Sequence, residues 1–323
     1  MAREPADEAL PFDDEPAPEV APEPAPRKRR SRRKAEGSTE SRTRAASVDP
    51  AKERVRPIPE PVSLRGHGPA RVLALCNQKG GVGKTTSTIN LGAALAELGR
   101  RVLLVDFDPQ GALSVGLGVY PHQLDLTVYN ALMERRTTGE DVLLKTGVSG
   151  MDLLPSNIDL SAAEVQLVGE VAREQALARV LGPLLPRYDY VLIDCQPSLG
   201  LLTINALTAA HGVIVPLECE FFSLRGVALL LDTIEKVKER LNPELKVEGI
   251  LATMYDARTL HAREVFSRVV DAFGDTVFQT VIARTVRFPE TTVAGEPITS
   301  WAPQSPGAAA YRDLAREVLA RAD

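Results

Sequence analysis

Residues Arg71-Val72-Leu73-Ala74-Leu75-Cys76 run directly into Asn77-Gln78-Lys79-Gly80-Gly81-Val82-Gly83-Lys84-Thr85-Thr86. The first six read as a strand apolar on both faces, as in a parallel sheet covered on both sides. Glycines at 80, 81 and 83 let the backbone turn tightly and aim several N–H groups into one concavity. Beyond them Thr88, Leu91, Leu95 and Leu98 fall at helical spacing, and Gly99 follows as a stop signal. A strand, a glycine turn and a helix N-terminus in that order make a phosphate cradle, because the helix end adds positive potential to the converging N–H groups. Within the cradle, Lys79 to Thr86, Lys84 is placed to reach the β- and γ-phosphates of a nucleotide and the Thr85 hydroxyl to coordinate Mg2+. The common spacing G-x-x-x-x-G-K-[ST] is broken once: residue 78 is Gln, and an extra lysine, Lys79, follows it.

Outward from this loop, short β-rich runs alternate with longer amphipathic stretches. Strands are predicted at 71–76, 101–105, 151–154, 189–193, 212–216 and 247–253, and helices at about 84–98, 160–185, 199–210, 223–241, 259–273 and 307–322. The alternation predicts one doubly wound α/β domain over residues 66–323, with a mostly parallel sheet and helices on both faces. Such sheets bind ligands at the carboxyl ends of their strands, so the residues that leave each strand carry the chemistry.

Two further strand exits are acidic. Strand 101–105 runs into Asp106-Phe107-Asp108-Pro109-Gln110-Gly111, where one carboxylate can hold the strand end and the other orient a water for in-line attack on a γ-phosphate. Strand 189–193 runs into Asp194-Cys195-Gln196-Pro197-Ser198-Leu199-Gly200, where a carboxylate beside a phosphate loop finds a partner in the water shell of a bound metal.

The rest of the chain sets bounds. Apolar residues make up 44% of the 323, charged residues 25% and aromatic residues 5%, which fits a globular protein with one large core. The formal charge of -5 is a sum of unlike blocks. Residues 1–65 hold 14 Lys and Arg against 13 Asp and Glu, with eight acids in 1–26 and then the run Arg27, Lys28, Arg29, Arg30, Ser31, Arg32, Arg33, Lys34. They also hold 11 of the 24 prolines and few large apolar residues. Such a segment buries too little surface to offset its ordering entropy, so residues 1–65 are expected to be disordered. No secretory leader or apolar run of membrane-spanning length is read, and the location expected is cytoplasmic. Cys76, Cys195 and Cys219 lie in apolar surroundings without a C-x-x-C pair, and are read as reduced thiols in a core rather than metal ligands.

The loop K-G-G-x-G-K-[ST] at 79–85 resembles the deviant Walker A motif of the ParA/MinD group of partitioning ATPases. Val105-Asp106-Phe107-Asp108-Pro109-Gln110 is similar to that group's V-D-x-D-P-Q motif, and 194–199 to its D-x-P-P-S-L, with Gln196 where the family has proline. Resemblance to ParA/Soj-type chromosome-partitioning ATPases extends over 71–322, through Leu201 to Leu207, Glu218 to Gly226 and Met254 to Thr259. It implies ATP hydrolysis with Mg2+. In that reading Lys79, Lys84 and Asp108 are catalytic, Thr85 is on the metal, and Asp194 acts through a water. It also implies an ATP-sandwiched homodimer in which Lys79 reaches the partner's nucleotide. Arg258 would then bind DNA without sequence preference, with Arg263, Arg268, Arg284 and Arg287 as neighbours, and a ParB-like activating protein would trigger release from the nucleoid. One departure stands at 286–292, Val-Arg-Phe-Pro-Glu-Thr-Thr where the family reads V-R-L-S-E-A-P, near the expected purine base; it suggests a paralogue within the family.

Two other classes share the loop. A MinD-like switch cycling on membranes relies on an amphipathic C-terminal helix, but Tyr311, Leu314, Val318 and Leu319 read as the packing face of a helix on its own domain, so no stable membrane association is expected. The other class is a reductase or ligase, such as the nitrogenase iron protein or dethiobiotin synthetase; the first of these needs bridging cysteines at a dimer interface, which the widely separated Cys76, Cys195 and Cys219 do not supply.

Overall fold

Strands apolar on both faces can persist only if two layers of helix cover them. In the computed structural model, which describes residues 49–322 apart from 63, 65, 221 and 222 and the side chains of 223–225, that is the arrangement. The strands are β1 (Arg71–Leu75), β2 (Val102–Phe107), β3 (Leu144–Lys145), β4 (Met151–Leu154), β5 (Tyr190–Cys195), β6 (Gly212–Glu218) and β7 (Lys246–Thr253). They form one sheet in the order β3-β4-β2-β5-β1-β6-β7, parallel throughout except where β3 pairs antiparallel with β4.

The α-helices are α1 (Pro50–Glu53), α2 (Lys84–Glu97), α3 (Ala112–Gly116), α4 (Val128–Met133), α5 (Leu160–Gln166), α6 (Ala176–Leu181), α7 (Leu201–Ala209), α8 (Ser223–Arg240), α9 (Leu260–Phe273), α10 (Arg287–Ala294), α11 (Ile298–Trp301) and α12 (Pro306–Ala320). Alternate residues of each strand feed two cores. Leu73 and Leu75 pack with Leu91 and Leu95 of α2 and with Tyr311, Leu314 and Val318 of α12. Val72 and Ala74 pack with Leu160, Leu177, Leu202, Val227 and Phe266 from α5 to α9. The terminal helix thus buries the face expected of it in its own domain. Among the described residues no helix is long and apolar enough to cross a membrane.

Three expectations change. The helix expected over 160–185 is broken: α5 ends in a single 3-10 turn, Glu170 is extended, Ala172 takes the left-handed conformation at φ 53°, and α6 begins at Ala176. Gly169 supplies the weak point, being poor at continuing a helix. The pattern also missed β3 and the short helices α3, α4, α10 and α11, each too brief to show a period.

The third change is at the N-terminal boundary. The chain divides into two units, Met1–Ala46 and Ser47–Asp323, and the described residues belong to the second. Residues 49–62, expected to be disordered, lie on the domain. Asp49 Oδ1 accepts from the Ala51 amide at 3.1 Å, capping α1, and from the Tyr255 hydroxyl at 2.6 Å. Ala51 is buried. Arg54 Nη2 donates to the carbonyls of Gly274 and Val277 at 3.2 and 3.0 Å, just beyond the C-terminus of α9. Arg56 and Gln279 exchange two bonds, amide to Oε1 at 2.9 Å and Nε2 to carbonyl at 3.1 Å. Counting apolar residues misses an arm held by polar groups. The disorder expected for 1–48, including the run 27–34, lies outside the described residues.

Candidate functional site

The glycine loop between β1 and α2 owes its shape to two left-handed residues, Gly81 at φ 75° and Gly83 at φ 84°, which other residues adopt only with strain. A β-carbon placed on Gly80 or Gly81 would meet nothing within 4 Å, so the loop opens onto free space. Its floor is fixed. Val82 is buried, and its carbonyl accepts from Thr253 Oγ1 at the end of β7, at 2.8 Å. Asn77 accepts from the Lys79 amide at 3.0 Å and donates to the Pro216 carbonyl in β6 at 2.7 Å, tying the loop to the neighbouring strand. Lys84, only 7% exposed, donates to the Lys79 carbonyl at 3.2 Å and so lies across the cradle. Thr85 and Thr86 occupy the first turn of α2.

Strand register brings the acidic exits to the same level: Asp194 is opposite Asp106 across the β2–β5 ladder and opposite Leu75 across the β1–β5 ladder. Asp194 accepts from the Thr85 hydroxyl at 2.6 Å. Burial first, and the Asp106 charge second, push its carboxyl up to about 8. Asp106 is fully buried and accepts from both the amide and the hydroxyl of Ser114, at 2.8 and 2.7 Å. Burial nonetheless pushes it up to about 7. Asp108 is only partly buried, and its Oδ1 accepts from the Gln110 amide at 2.9 Å. Of the two carboxylates at this exit, Asp106 holds the strand end and Asp108 is the one accessible to water.

Thr85 and Asp194 offer hard oxygen donors to a divalent cation beside a phosphate cradle. Among the described residues no group of three or more His, Cys, Asp or Glu forms a protein cage for a metal. Mg2+ does not require one, since it keeps several waters and takes one or two protein oxygens plus substrate phosphates. The residues present therefore fit this ion. Cys76 and Cys195, which follow β1 and end β5, meet with sulfurs 2.9 Å apart; with Cys219 they are free and buried, as the sequence suggested, although two of the three are not separated in space.

Lys79 is engaged by two carboxylates at and just beyond the end of β6. Its Nζ lies 2.8 Å from Glu218 Oε2 and 2.6 Å from Glu220 Oε2. Burial opposes its charge, but the two carboxylates hold the ammonium above its usual range. Glu218 Oε1 in turn accepts from Arg284 at 2.8 Å. Arg258 sits on the loop after β7 with its side chain 90% exposed and grips Asp256 through Nε and Nη2 at 2.9 and 2.8 Å. Of its expected neighbours, Arg284 lies alongside, its amide bonded to the Tyr255 carbonyl. Arg263 and Arg268 are on α9, whereas Arg287 opens α10, which packs on α3 and α11. Phe288, in the stretch that departs from the family pattern, stacks edge-on against Tyr311 at 5.8 Å, and Tyr311 bonds Ser87 of α2 at 3.1 Å. Gln196, in place of a proline, donates to Glu164 of α5 at 2.8 Å.

A family model described as an AAA domain matches residues 70–247. The sporulation initiation inhibitor protein Soj of Bacillus subtilis is 47% identical over 250 residues, covering 77% of this chain and 98% of Soj. The chain belongs to the ParA/Soj family of partitioning ATPases. An uncharacterized protein of Mycobacterium tuberculosis is 69% identical over 266 residues, covering 82% of this chain and 84% of that protein. A crystal structure of cobyrinic acid a,c-diamide synthase from Mycobacterium smegmatis, with bound ADP and magnesium, is 47% identical, with a TM-score of 0.68 over 76% of this chain and 92% of that one.

Sequence reasoning placed Lys79, Lys84, Thr85, Asp108 and Asp194 around one loop, and the structure brings them together there. It missed the partners that orient them: Ser114 on Asp106, Glu218 and Glu220 on Lys79, and Thr253 under Val82. Glu218 and Glu220 lay in a stretch already marked by the resemblance, with no role attached. Ser114 and Thr253 carried no signal short of the fold.

Proposed function

We propose that this ParA/Soj-family ATPase is an ATP-dependent dimerising switch that binds DNA without sequence preference in its ATP form and releases it on hydrolysis. The observation that carries this reading is the division of labour between two lysines. Lys84 lies over its own cradle, while Lys79, rooted in the same loop, leaves that cradle to Lys84 and is held beside it by Glu218 and Glu220 with 42% of its side chain exposed, from where it could reach a second protomer's nucleotide once released. ATP phosphates would sit on the amides of 80–85 with Lys84 along them. Thr85, and Asp194 through water, would hold Mg2+, which when bound would supply charge neutralisation at the phosphate oxygens. Asp108 positions the attacking water, and Asp106, sealed by Ser114, keeps the strand exit from shifting as it does so.

DNA is assigned to the exposed Arg258 loop, with Arg284 beside it. Contacts to phosphate alone imply strong salt dependence and indifference to sequence. A domain with more acids than bases can still bind in this way, because a dimer doubles a local patch. A ParB-like activating protein, a nucleoid location and a role in chromosome or plasmid partitioning follow from the same reading. Membrane cycling is disfavoured because α12 buries its apolar face in the domain, and co-sedimentation with liposomes in ATP should find none.

The test is an ATPase and sedimentation assay with and without DNA and candidate partner peptides. Lys84→Ala should lose nucleotide-driven dimerisation, whereas Asp108→Ala should keep ATP and accumulate as dimer, with turnover down at least about a hundredfold. Normal hydrolysis by both variants refutes the site. DNA retention should be greater in ATP than in ADP and fall on Arg258→Ala, and equal retention in both nucleotides refutes the switch. Deleting residues 1–48, which leaves the docked arm in place, should weaken DNA binding and spare hydrolysis if the basic run contributes a tether.

A further inference from the structure

We infer that Glu218 and Glu220 are positioning residues for Lys79: together they form a carboxylate latch that holds this lysine within its own protomer and must open before the dimer can close. The inference rests on the switch proposed above and adds the regulation of its trans-acting lysine.

The latch is built from the strand next to the loop. Glu218 ends β6 and Glu220 follows two residues later. The root of Lys79 is tied to the same strand through Asn77 and the Pro216 carbonyl. Both carboxylates bond one ammonium, at 2.8 and 2.6 Å, so two of its three protons are directed at carboxylates. Glu218 cannot follow the lysine outward, because its other oxygen is held at 2.8 Å by Arg284 and its side chain is largely buried. Glu220 is half exposed, and its carboxylate bonds Lys79 at 2.6 Å.

A lysine compensated in this way has little electrostatic drive toward another protomer until a competing anion of higher charge is presented. A triphosphate held on the partner's cradle is such an anion, and a diphosphate, lacking the γ-group, is a weaker one. The latch therefore raises the ATP threshold for dimerisation. The apparent affinity is lowered by the fraction of chains in which Lys79 is released, so neutralising a latch carboxylate increases that fraction. The side chain of Lys79 is 42% exposed, which keeps the pair weak enough to open.

Glu220→Gln, Glu218→Gln and the charge-conserving Glu218→Asp are compared by sedimentation in titrations with a non-hydrolysable ATP analogue, without DNA. Binding of fluorescent ADP by the monomer is measured in parallel. Glu220→Gln should lower the analogue concentration for half-dimerisation about fivefold. Glu218→Gln should lower it as well, Glu218→Asp should stay near wild type, and ADP affinity should not move. A lysine held merely for stability would leave the dimerisation midpoint unchanged. Lys79→Ala separates the two proposals. If it dimerises as wild type does, the trans role fails and the latch with it. If it stays monomeric while Glu220→Gln and Glu218→Gln dimerise at wild-type analogue concentrations, the latch alone is wrong. Glu220→Gln alters an exposed residue, so loss of folding does not obscure the result.

Discussion

Asp106 and Asp108 are two residues apart on one strand exit, and they differ in surroundings: one is sealed and the other is not. Asp106 points into the protein, where Ser114 supplies two donors, whereas Asp108 stays near water. Removing a donor from a buried carboxylate leaves its desolvation uncompensated. Ser114→Ala should therefore cost about 1–3 kcal/mol in urea denaturation, and reduce turnover while leaving Asp108 itself unchanged. A variant as stable as wild type would show that the amide bond suffices. Lys84, Thr85, Asp108 and Asp194 were legible because phosphate chemistry demands those residue types at fixed offsets from a strand end. Ser114 was not, since it is one of many serines and only the return of α3 over the exit gives it a task. Glu218 and Glu220 were invisible as partners of Lys79 for the same reason: 139 and 141 residues separate them from it, and only strand order closes the distance.

At the level of elements, legibility followed length. Strands β1, β2, β4, β5, β6 and β7 show as short apolar runs and the long helices α2, α8, α9 and α12 carry enough residues to display a period, while α3, α10 and α11 are a turn or two of chain whose placement depends on neighbours. The arm at 49–62 shows a different failure: its anchors are a cap, a guanidinium on backbone carbonyls and a pair of hydrogen bonds to Gln279, none of which registers as hydrophobicity. A chain starting at residue 63 should unfold at lower urea than one starting at residue 47, and Asp49→Ala should reproduce part of that loss by freeing the arm from Tyr255; equal midpoints would make the arm a passive passenger. Gly83 tests the loop in the same way. Its left-handed φ of 84° at the N-cap of α2 makes Gly83→Ala a strained substitution, expected to cost about 1–2 kcal/mol and to weaken nucleotide binding, read by fluorescent ADP titration.

Across the whole molecule the dominant electrostatic feature is the facing pair Asp106 and Asp194, pushed up to about 7 and about 8 from an ordinary 3.8. Carboxyls raised in the fold favour it while protonated, fully so below their unfolded value, and that contribution is lost as pH climbs through 7 and 8. The nucleotide-free protein should therefore melt a few degrees lower at about pH 8.5 than at about pH 6, and Asp194→Asn should flatten the difference. An identical slope in the variant would assign the pH dependence elsewhere. The sheet order carries a consequence for how the protein is made. β1, which bears the phosphate loop, pairs with β5 and β6 and not with the strand that follows it, so Cys76 waits for a neighbour 119 residues downstream. At ordinary rates of synthesis that interval lasts on the order of ten seconds, during which β1 has two open edges and the cradle has no floor. Nucleotide can then stabilise only a finished chain, and fragments released before Tyr190 should aggregate whether or not ATP is present.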